Sequence, residues 1–291
     1  MAVTTVALPW PDFRPVRAER YWEGARSTSR RALAEGALVP LATRVIQQPG
    51  LAPFVLRELQ SRPPRHLGAE GPKPNPFLPW DRPLEVERIG SDHVLLLNKY
   101  PVQDSHLLVI TSSWQPQSGW LTPGDGQAVA TVAADTGGLW FFNSSATAGA
   151  SQPHRHLQLL PRTADESSCP LASRFEAILQ GQADPLPWRH RLSRRSDPLH
   201  GRDLRELYEE HCRSLGLGER SHDTAPRQAY NLLFDDHWFL TVLRSREHCA
   251  GYSVNGLGFA GYLLATAASQ PDWLGEHGPW SLLAEVAVEA D

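Results

Sequence analysis

The chain has 291 residues, 41% apolar and 21% charged, with 28 basic against 32 acidic side chains and a formal net charge of −4. That length holds one large domain or two small ones, and the charge balance excludes a polyanion binder held by bulk charge while leaving room for a local anion site. No stretch approaches the ~18 apolar residues of a transmembrane helix, MAVTTVALPWPDFRP lacks the pattern of a secretory signal, and three scattered cysteines (Cys169, Cys212, Cys249) imply neither a disulfide framework nor a cysteine-rich zinc site. The expectation is a cytoplasmic protein with no membrane or nucleic-acid partner.

In chain order, residues 16–37 have the apolar spacing of an amphipathic helix. A short strand is expected at 41–47, and a strand or helix at 53–59. Residues 62–82 are too rich in proline for helix or central strand, but Phe77, Leu78 and Trp80 imply that this loop packs on something. Alternation predicts strands at 84–89, 93–98 and 106–111. Thr122-Pro123 predicts a helix start, with Gly137 and Gly138 as its end. Strands follow at 139–143 and 154–160, separated by the small-residue loop SSATAGASQ. Residues 162–200 are weakly patterned, and Arg189, Arg191, Arg194 and Arg195 read as a solvated basic surface. A helix is expected at 202–215, a hairpin at 230–234 and 238–243 across Asp235-Asp236-His237, and helices at 257–268 and 278–288. The order of elements is that of an α+β fold with an antiparallel sheet.

Two lysines (Lys73, Lys99) stand against 26 arginines, and there are five asparagines: Asn75, Asn98, Asn143, Asn231 and Asn255. A GC-rich coding sequence accounts for such a skew. A residue type under pressure to disappear also survives where its chemistry is needed, which marks these positions for inspection.

The sharpest segment is GASQPHRHLQLLP at 149–161. On a strand, His154, His156 and Gln158 share one face, with Arg155, Leu157 and Leu159 on the other. Two imidazoles and an amide beside a loop of free backbone N–H groups suit chemistry on an anion. Spacing alone also allows a metal pair, although zinc normally takes three or four protein ligands, and a purely structural polar face.

This segment resembles the histidine-triad-like nucleotidyltransferases, and within them the ATP adenylyltransferases, or diadenosine tetraphosphate (Ap4A) phosphorylases. Four ordered stretches carry the resemblance: GPKPNPFLPWD at 71–81, LLLNKYPV with HLLVIT across 95–111, NSSATAGASQPHRHLQLLP at 143–161, and YNLLFDDHWFLTVLRSREHCAGYSVNGLGFAGYLL at 230–264. Both lysines and all five asparagines fall inside them.

The resemblance implies a histidine-triad-like sheet with flanking helices, extended by a C-terminal domain. The expected division is 1–165 catalytic, 166–220 a connecting helical and loop segment, and 221–291 C-terminal. It implies reversible phosphorolysis of Ap4A to ADP and ATP, with His156 as the nucleophile that carries an adenylyl group and His154 as an orienting residue. Gln158, Ser151, Gln152 and the backbone of Gly149, Ala150, Ser151 and Gln152 would meet phosphate oxygens. Lys73 and Lys99 would pair with the polyphosphate, Asn98 would contact nucleotide, and Asn143 would orient the nucleophile or the phosphates. Asn255, Gly256, Leu257 and Tyr262 match substrate-facing positions. Relatives can place a lysine where Thr266 stands, for which Arg244, Arg246 and His248 are the candidate replacements. No covalently held cofactor is implied, though a divalent cation such as Mg2+ can accompany the nucleotide, and the chain would be a monomer or homodimer. The rivals are transfer to another nucleotide (ADP-sulfate or a nucleotide sugar) and a regulator that binds nucleotide without turnover.

Overall fold

The computed structural model describes residues 16–61, 75, 77–162 and 168–290. Helix α1 (Arg20–Ala34) buries Tyr21, Trp22, Ala25 and Ala32, the apolar stripe of its sequence. Strands β1 (Thr43–Ile46) and β2 (Val55–Leu59) pair antiparallel. The three alternating segments form β3 (Glu85–Ile89), β4 (His93–Leu97) and β5 (Leu107–Thr111). Helix α2 (Pro123–Thr136) begins with a complete capping box: the Thr122 hydroxyl accepts from the Asp125 N–H, and the Asp125 carboxylate accepts from the Thr122 N–H. Strand β6 (Leu139–Asn143) follows. Strand β7 (His156–Leu160) starts two residues later than alternation predicts, because His154 joins only an isolated bridge to Pro116.

The next segment departs from the expected loop-and-helix connection. Besides α3 (Ala172–Leu179) and α4 (Arg202–Ser214), it supplies β8 (His190–Arg194), an edge strand of the main sheet. Its basic stretch is not uniformly solvated either. Arg191 is a surface ion pair with Glu210, whereas Arg195 is buried and pairs with Asp203 at 3.0 Å. The hairpin of β9 (Tyr230–Phe234) and β10 (Trp238–Leu243) forms as expected. A small ribbon, β11 (His248–Cys249) and β12 (Tyr252–Ser253), comes next.

The expected helix over 257–268 is corrected. Helix α5 (Gly256–Ala260) stops at Gly261, whose φ of 103° favours glycine and where a Cβ would meet Pro170 at 2.8 Å. The chain then extends as β13 (Tyr262–Ala265), parallel to β2. Helix α6 (Pro271–Val286) starts earlier than expected and bends at Gly278-Pro279.

The main sheet has eight strands in the order β3-β4-β5-β7-β6-β9-β10-β8, every pair antiparallel. The early and late parts of the chain join at β6 and β9, where Asn143 sits opposite Asn231. One face packs on α1, α2 and α4 through Leu157, Leu159, Trp140 and Phe234. The other face carries two separate apolar clusters. The larger takes Phe141, Leu160 and Leu233 together with α3, α5, α6 and the sheet β1-β2-β13. The smaller is Val94, Leu96, Leu108 and Ile110 beneath Phe77 and Trp80, the packing expected of that loop. The polar strip described next occupies this second face. Among the described residues, no helix is long and apolar enough to cross a membrane.

Candidate active site

Alternation along β7 puts His156, Gln158 and Leu160 on the face away from α2, while Leu157 and Leu159 enter the opposite core. Neighbouring strands complete the strip: β5 pairs Ile110 with His156 and Leu108 with Gln158, and β6 pairs Phe141 with Gln158.

His156 is 3% exposed. Its Nδ1 lies 2.8 Å from the carbonyl oxygen of His154. A carbonyl only accepts, so Nδ1 carries the proton and Nε2 keeps a lone pair. No described residue hydrogen-bonds Nε2. Burial pushes the ring's pKa down to about 4, so the imidazole is neutral near pH 7. These are the properties of a nucleophile at Nε2.

His154 is held differently. Its Nε2 meets the Thr111 carbonyl at 2.8 Å and the Thr111 hydroxyl at 2.9 Å, and its Nδ1 meets the Asn75 amide at 3.1 Å. The rings of Phe77 and Trp114 pack on it at 5.6 and 5.4 Å. With both nitrogens engaged, His154 positions the strand start and offers no lone pair for attack. The two histidines therefore do not present a pair of unoccupied nitrogens to one metal ion. Among the described residues, no group of three or more His, Cys, Asp or Glu is gathered for a metal.

Gln158 is oriented through residues distant in sequence. The Tyr100 N–H donates to Asn98 Oδ1 at 3.2 Å, Asn98 Nδ2 donates to His106 Nδ1 at 3.0 Å, and His106 Nε2 donates to Gln158 Oε1 at 3.1 Å. Burial depresses His106 to about 4, so the ring stays neutral, with one donor and one acceptor. The relay consumes the Gln158 oxygen and leaves its NH2 as a donor. Asn98, expected to contact nucleotide, occupies this relay.

Gln117 was not anticipated from the sequence. Its Oε1 accepts from the His156 N–H at 2.8 Å, and its Nε2 donates to the Asn143 carbonyl at 2.7 Å and the His156 carbonyl at 3.2 Å. It pins the start of β7 to the end of β6.

Asn143 Oδ1 accepts from Asn231 Nδ2 and from the Gly256 N–H, both at 2.8 Å. Asn255 caps α5 by accepting from the Leu257 N–H at 2.9 Å. The N–H groups of Gly256 and Leu257 are thus already used. Behind them lies Arg244, 1% exposed, which donates to the carbonyls of Val286, Ala148, Arg246 and Val254 and to Asn231 Oδ1. Burial lowers its pKa to about 10. A guanidinium spent in this way fastens the loop and is not a distal phosphate contact; Arg246 pairs with Glu285 at 2.8 Å, and His248 is exposed near Glu247.

The small-residue loop corrects another expectation. The N–H groups of Gly149 and Ala150 turn back to the carbonyls of Ala146 and Ser145, because the chain makes a 3-10 turn over Ala146–Ala148. No described residue accepts from the N–H of Ser151 or Gln152. Gly149 has φ 82° and a Cβ there would meet Asn255 at 2.7 Å, so the loop abuts the C-terminal block. Lys99 pairs with Asp81 at 2.6 Å at the surface. Tyr262 lies on β13 and donates its hydroxyl to the Ser168 carbonyl. Lys73 lies outside the described residues.

The buried histidines make stability pH-dependent. Burial lowers His106 and His156 to about 4 and His211 to about 3, and it also lowers His154 and His190. Unfolded histidines protonate near 6.5. Between these values the unfolded chain holds more protons, so stability falls as pH is lowered. Thermal melts from about pH 7.5 to about pH 5 are expected to show a falling Tm; a flat or rising Tm would contradict the buried, neutral assignments.

Two family profiles cover the chain in tandem. Residues 13–177 match the Ap4A phosphorylase N-terminal domain, and residues 184–289 match the ATP adenylyltransferase C-terminal domain. Among curated proteins, Diadenosine 5',5'''-P1,P4-tetraphosphate phosphorylase 2 of Saccharomyces cerevisiae is 32% identical over 116 residues, 35% of this chain and 36% of that protein. Protein APA1 of the same yeast is 31% identical over 121 residues, 37% of this chain and 38% of that protein. The aligned stretch thus spans about a third of the length of these relatives. Among solved structures, yeast Ap4A phosphorylase Apa2 in complex with AMP superposes with a TM-score of 0.71 at 22% identity, over 94% of this chain and 99% of that chain. The same enzyme in complex with Ap4A gives 0.71 at 21% identity over the same shares. At that identity the likeness speaks for the fold.

Proposed function

This chain belongs to the Ap4A phosphorylase family with its ATP adenylyltransferase C-terminal domain, and from that premise we propose that it catalyses the reversible phosphorolysis of Ap4A to ADP and ATP. The observation that carries the chemistry is the neutral His156, whose Nδ1–H is held by the His154 carbonyl.

In the first displacement His156 Nε2 attacks the α-phosphorus of Ap4A, forming the N–P bond as the P–O bond to departing ATP breaks. In the second, an oxygen of inorganic phosphate attacks the same phosphorus, the P–N bond breaks, and ADP leaves with His156 again neutral. Splitting one displacement into two is the logic of covalent catalysis. Charge on the α-phosphate oxygens requires donors already in place. The Gln158 NH2, fixed by its oxygen's bond to His106, is one; the N–H groups of Ser151 and Gln152 and the Ser151 hydroxyl are others. An amide cannot act as a general acid, which suits transfer to phosphate over release to water. Lys73 and Lys99 would meet the polyphosphate, with Lys99 exchanging its Asp81 partner for substrate. Asn255 and Tyr262 would line the nucleotide side. We assign the chain no resident metal; a divalent cation would enter with the nucleotide. A cytoplasmic monomer, or a homodimer, is the form proposed.

The test is an assay on Ap4A with and without inorganic phosphate. Phosphate-dependent formation of equimolar ADP and ATP is expected. Phosphate-independent cleavage to AMP and ATP would make the protein a hydrolase and overturn the reading of Gln158.

The relay gives a second expectation. Gln158→Ala removes a transition-state donor and should lower kcat by roughly 10²–10³-fold. His106→Ala removes only its orientation and should cost less, about 10- to 100-fold. Because both act through one group, the double variant should be no slower than Gln158→Ala alone. Multiplicative losses in kcat would show that His106 acts elsewhere.

A further inference from the structure

A cavity of about 250 Å³ lies on the opposite face of the sheet, between α2 and α4. Its floor includes Leu157, Leu232, Phe234 and Phe239, and Trp120 and Tyr208 stand in its walls. Leu157 lies between His156 and Gln158 in β7, so the cavity and the catalytic strip share one strand while facing opposite ways.

The interior has the character of a ligand site: an apolar body with few polar groups. Phe234 and Phe239 stack in parallel, with ring centroids 5.6 Å apart. The Tyr208 hydroxyl is already bonded to that of Tyr230 at 2.9 Å and accepts from the Leu121 N–H. Cys212 also lines the cavity, and burial pushes its thiol up to about 12, so it stays protonated and adds a soft, uncharged surface.

The mouth is charged. Arg205 pairs with Glu209 at 3.0 Å. Arg213 and Arg220 have no described ion-pair partner; of the other two lining carboxylates, Glu219 is exposed with them, and Asp125 is 1% exposed and neutralised by Arg155 at 2.9 Å, which leaves one net positive charge at the rim. From the apolar interior, the ring-lined floor and this rim we propose that the cavity is a second small-molecule site, for an aromatic compound bearing a single negative charge. A cavity of about 150 Å³ holds one benzene ring, so this volume suits about two or three aromatic rings and is too small for a peptide helix. The proposal does not depend on the activity assigned to the opposite face.

The test uses anilinonaphthalene sulfonate as probe, beside its uncharged analogue phenylnaphthylamine. A blocking variant is available in Gly126→Phe. Gly126 lines the cavity from α2, and a Cβ there meets nothing within 4 Å; replacing glycine inside a helix favours folding. The native chain should bind the sulfonate one-to-one with a saturable fluorescence rise. Gly126→Phe should weaken it at least about tenfold, while melting as a folded protein. Arg213→Ala with Arg220→Ala, both exposed, should weaken the sulfonate about two- to fivefold and leave phenylnaphthylamine unchanged. Absence of saturable binding to the native chain, or binding untouched by Gly126→Phe, would overturn the proposal. Equal weakening of both probes by the arginine variant would overturn its charge preference.

Discussion

His156→Ala is expected to lower kcat for Ap4A phosphorolysis by roughly 10⁴-fold or more, with the protein still folded. The size follows from the chemistry: without Nε2 there is no first displacement, and nothing nearby replaces it. Two other imidazoles lie close by, but the nitrogens of His154 are held by Thr111 and the Asn75 amide, and those of His106 by Asn98 and Gln158. Gln158 is not a nucleophile. Substrate binding should survive, because the Gln158 amide and the Ser151–Gln152 backbone do not depend on the imidazole; nucleotide affinity measured by calorimetry should change by less than about tenfold. A kcat reduced only tenfold would assign the attack to another group.

The second large effect concerns the residue between the two histidines. Arg155 points away from the catalytic strip, is 2% exposed, and donates to Asp125 at 2.9 Å and to the Pro116 carbonyl at 2.9 Å. Asp125 is itself 1% exposed and is also met by His93 at 2.9 Å and by Thr122. Burial alone would raise the Asp125 pKa, but His93, Arg155 and Thr122 together hold it below the usual carboxylate range. Arg155→Met leaves that carboxylate short of its main counter-charge inside the protein. Breaking such a pair costs about 3–5 kcal/mol, so urea unfolding should show a loss of that order. Adding Asp125→Asn removes the orphaned charge and should recover part of it. A loss below about 1 kcal/mol would mean that water reaches Asp125.

Much of this molecule was legible beforehand, and the illegible parts have physical causes. Thr122, Pro123 and Asp125 specify a helix start locally, and the structure has that start. Alternation located β3 to β6 and the β9–β10 hairpin, and it put His156 and Gln158 on one face. It failed at 257–268, where the apolar residues Leu257, Phe259, Leu263 and Leu264 fit a helical stripe. Gly261 breaks that stripe, and the second half pairs with β2, a partner some two hundred residues earlier. Strand β8 was invisible because an edge strand with half-buried side chains needs no apolar alternation. The site shows the same division. His156 and Gln158 are adjacent in one motif and could be read together. Gln117 and His106 act on them across tertiary contacts: Gln117 reaches the backbone of His156 and Asn143 from the loop after β5, and His106 lies diagonally across from Gln158, within reach of a long side chain. Only the order β5-β7-β6, which the sequence does not state, brings them together.

The central claim is that His156 becomes covalently adenylylated, and the direct measurement is mass spectrometry of the protein mixed with Ap4A in the absence of phosphate. The predicted result is a mass gain of one adenylyl group on the peptide containing His156, labile to acid, discharged as ADP when phosphate is added, and missing in His156→Ala. An active enzyme that shows no adduct, or an adduct that persists in His156→Ala, would contradict the account.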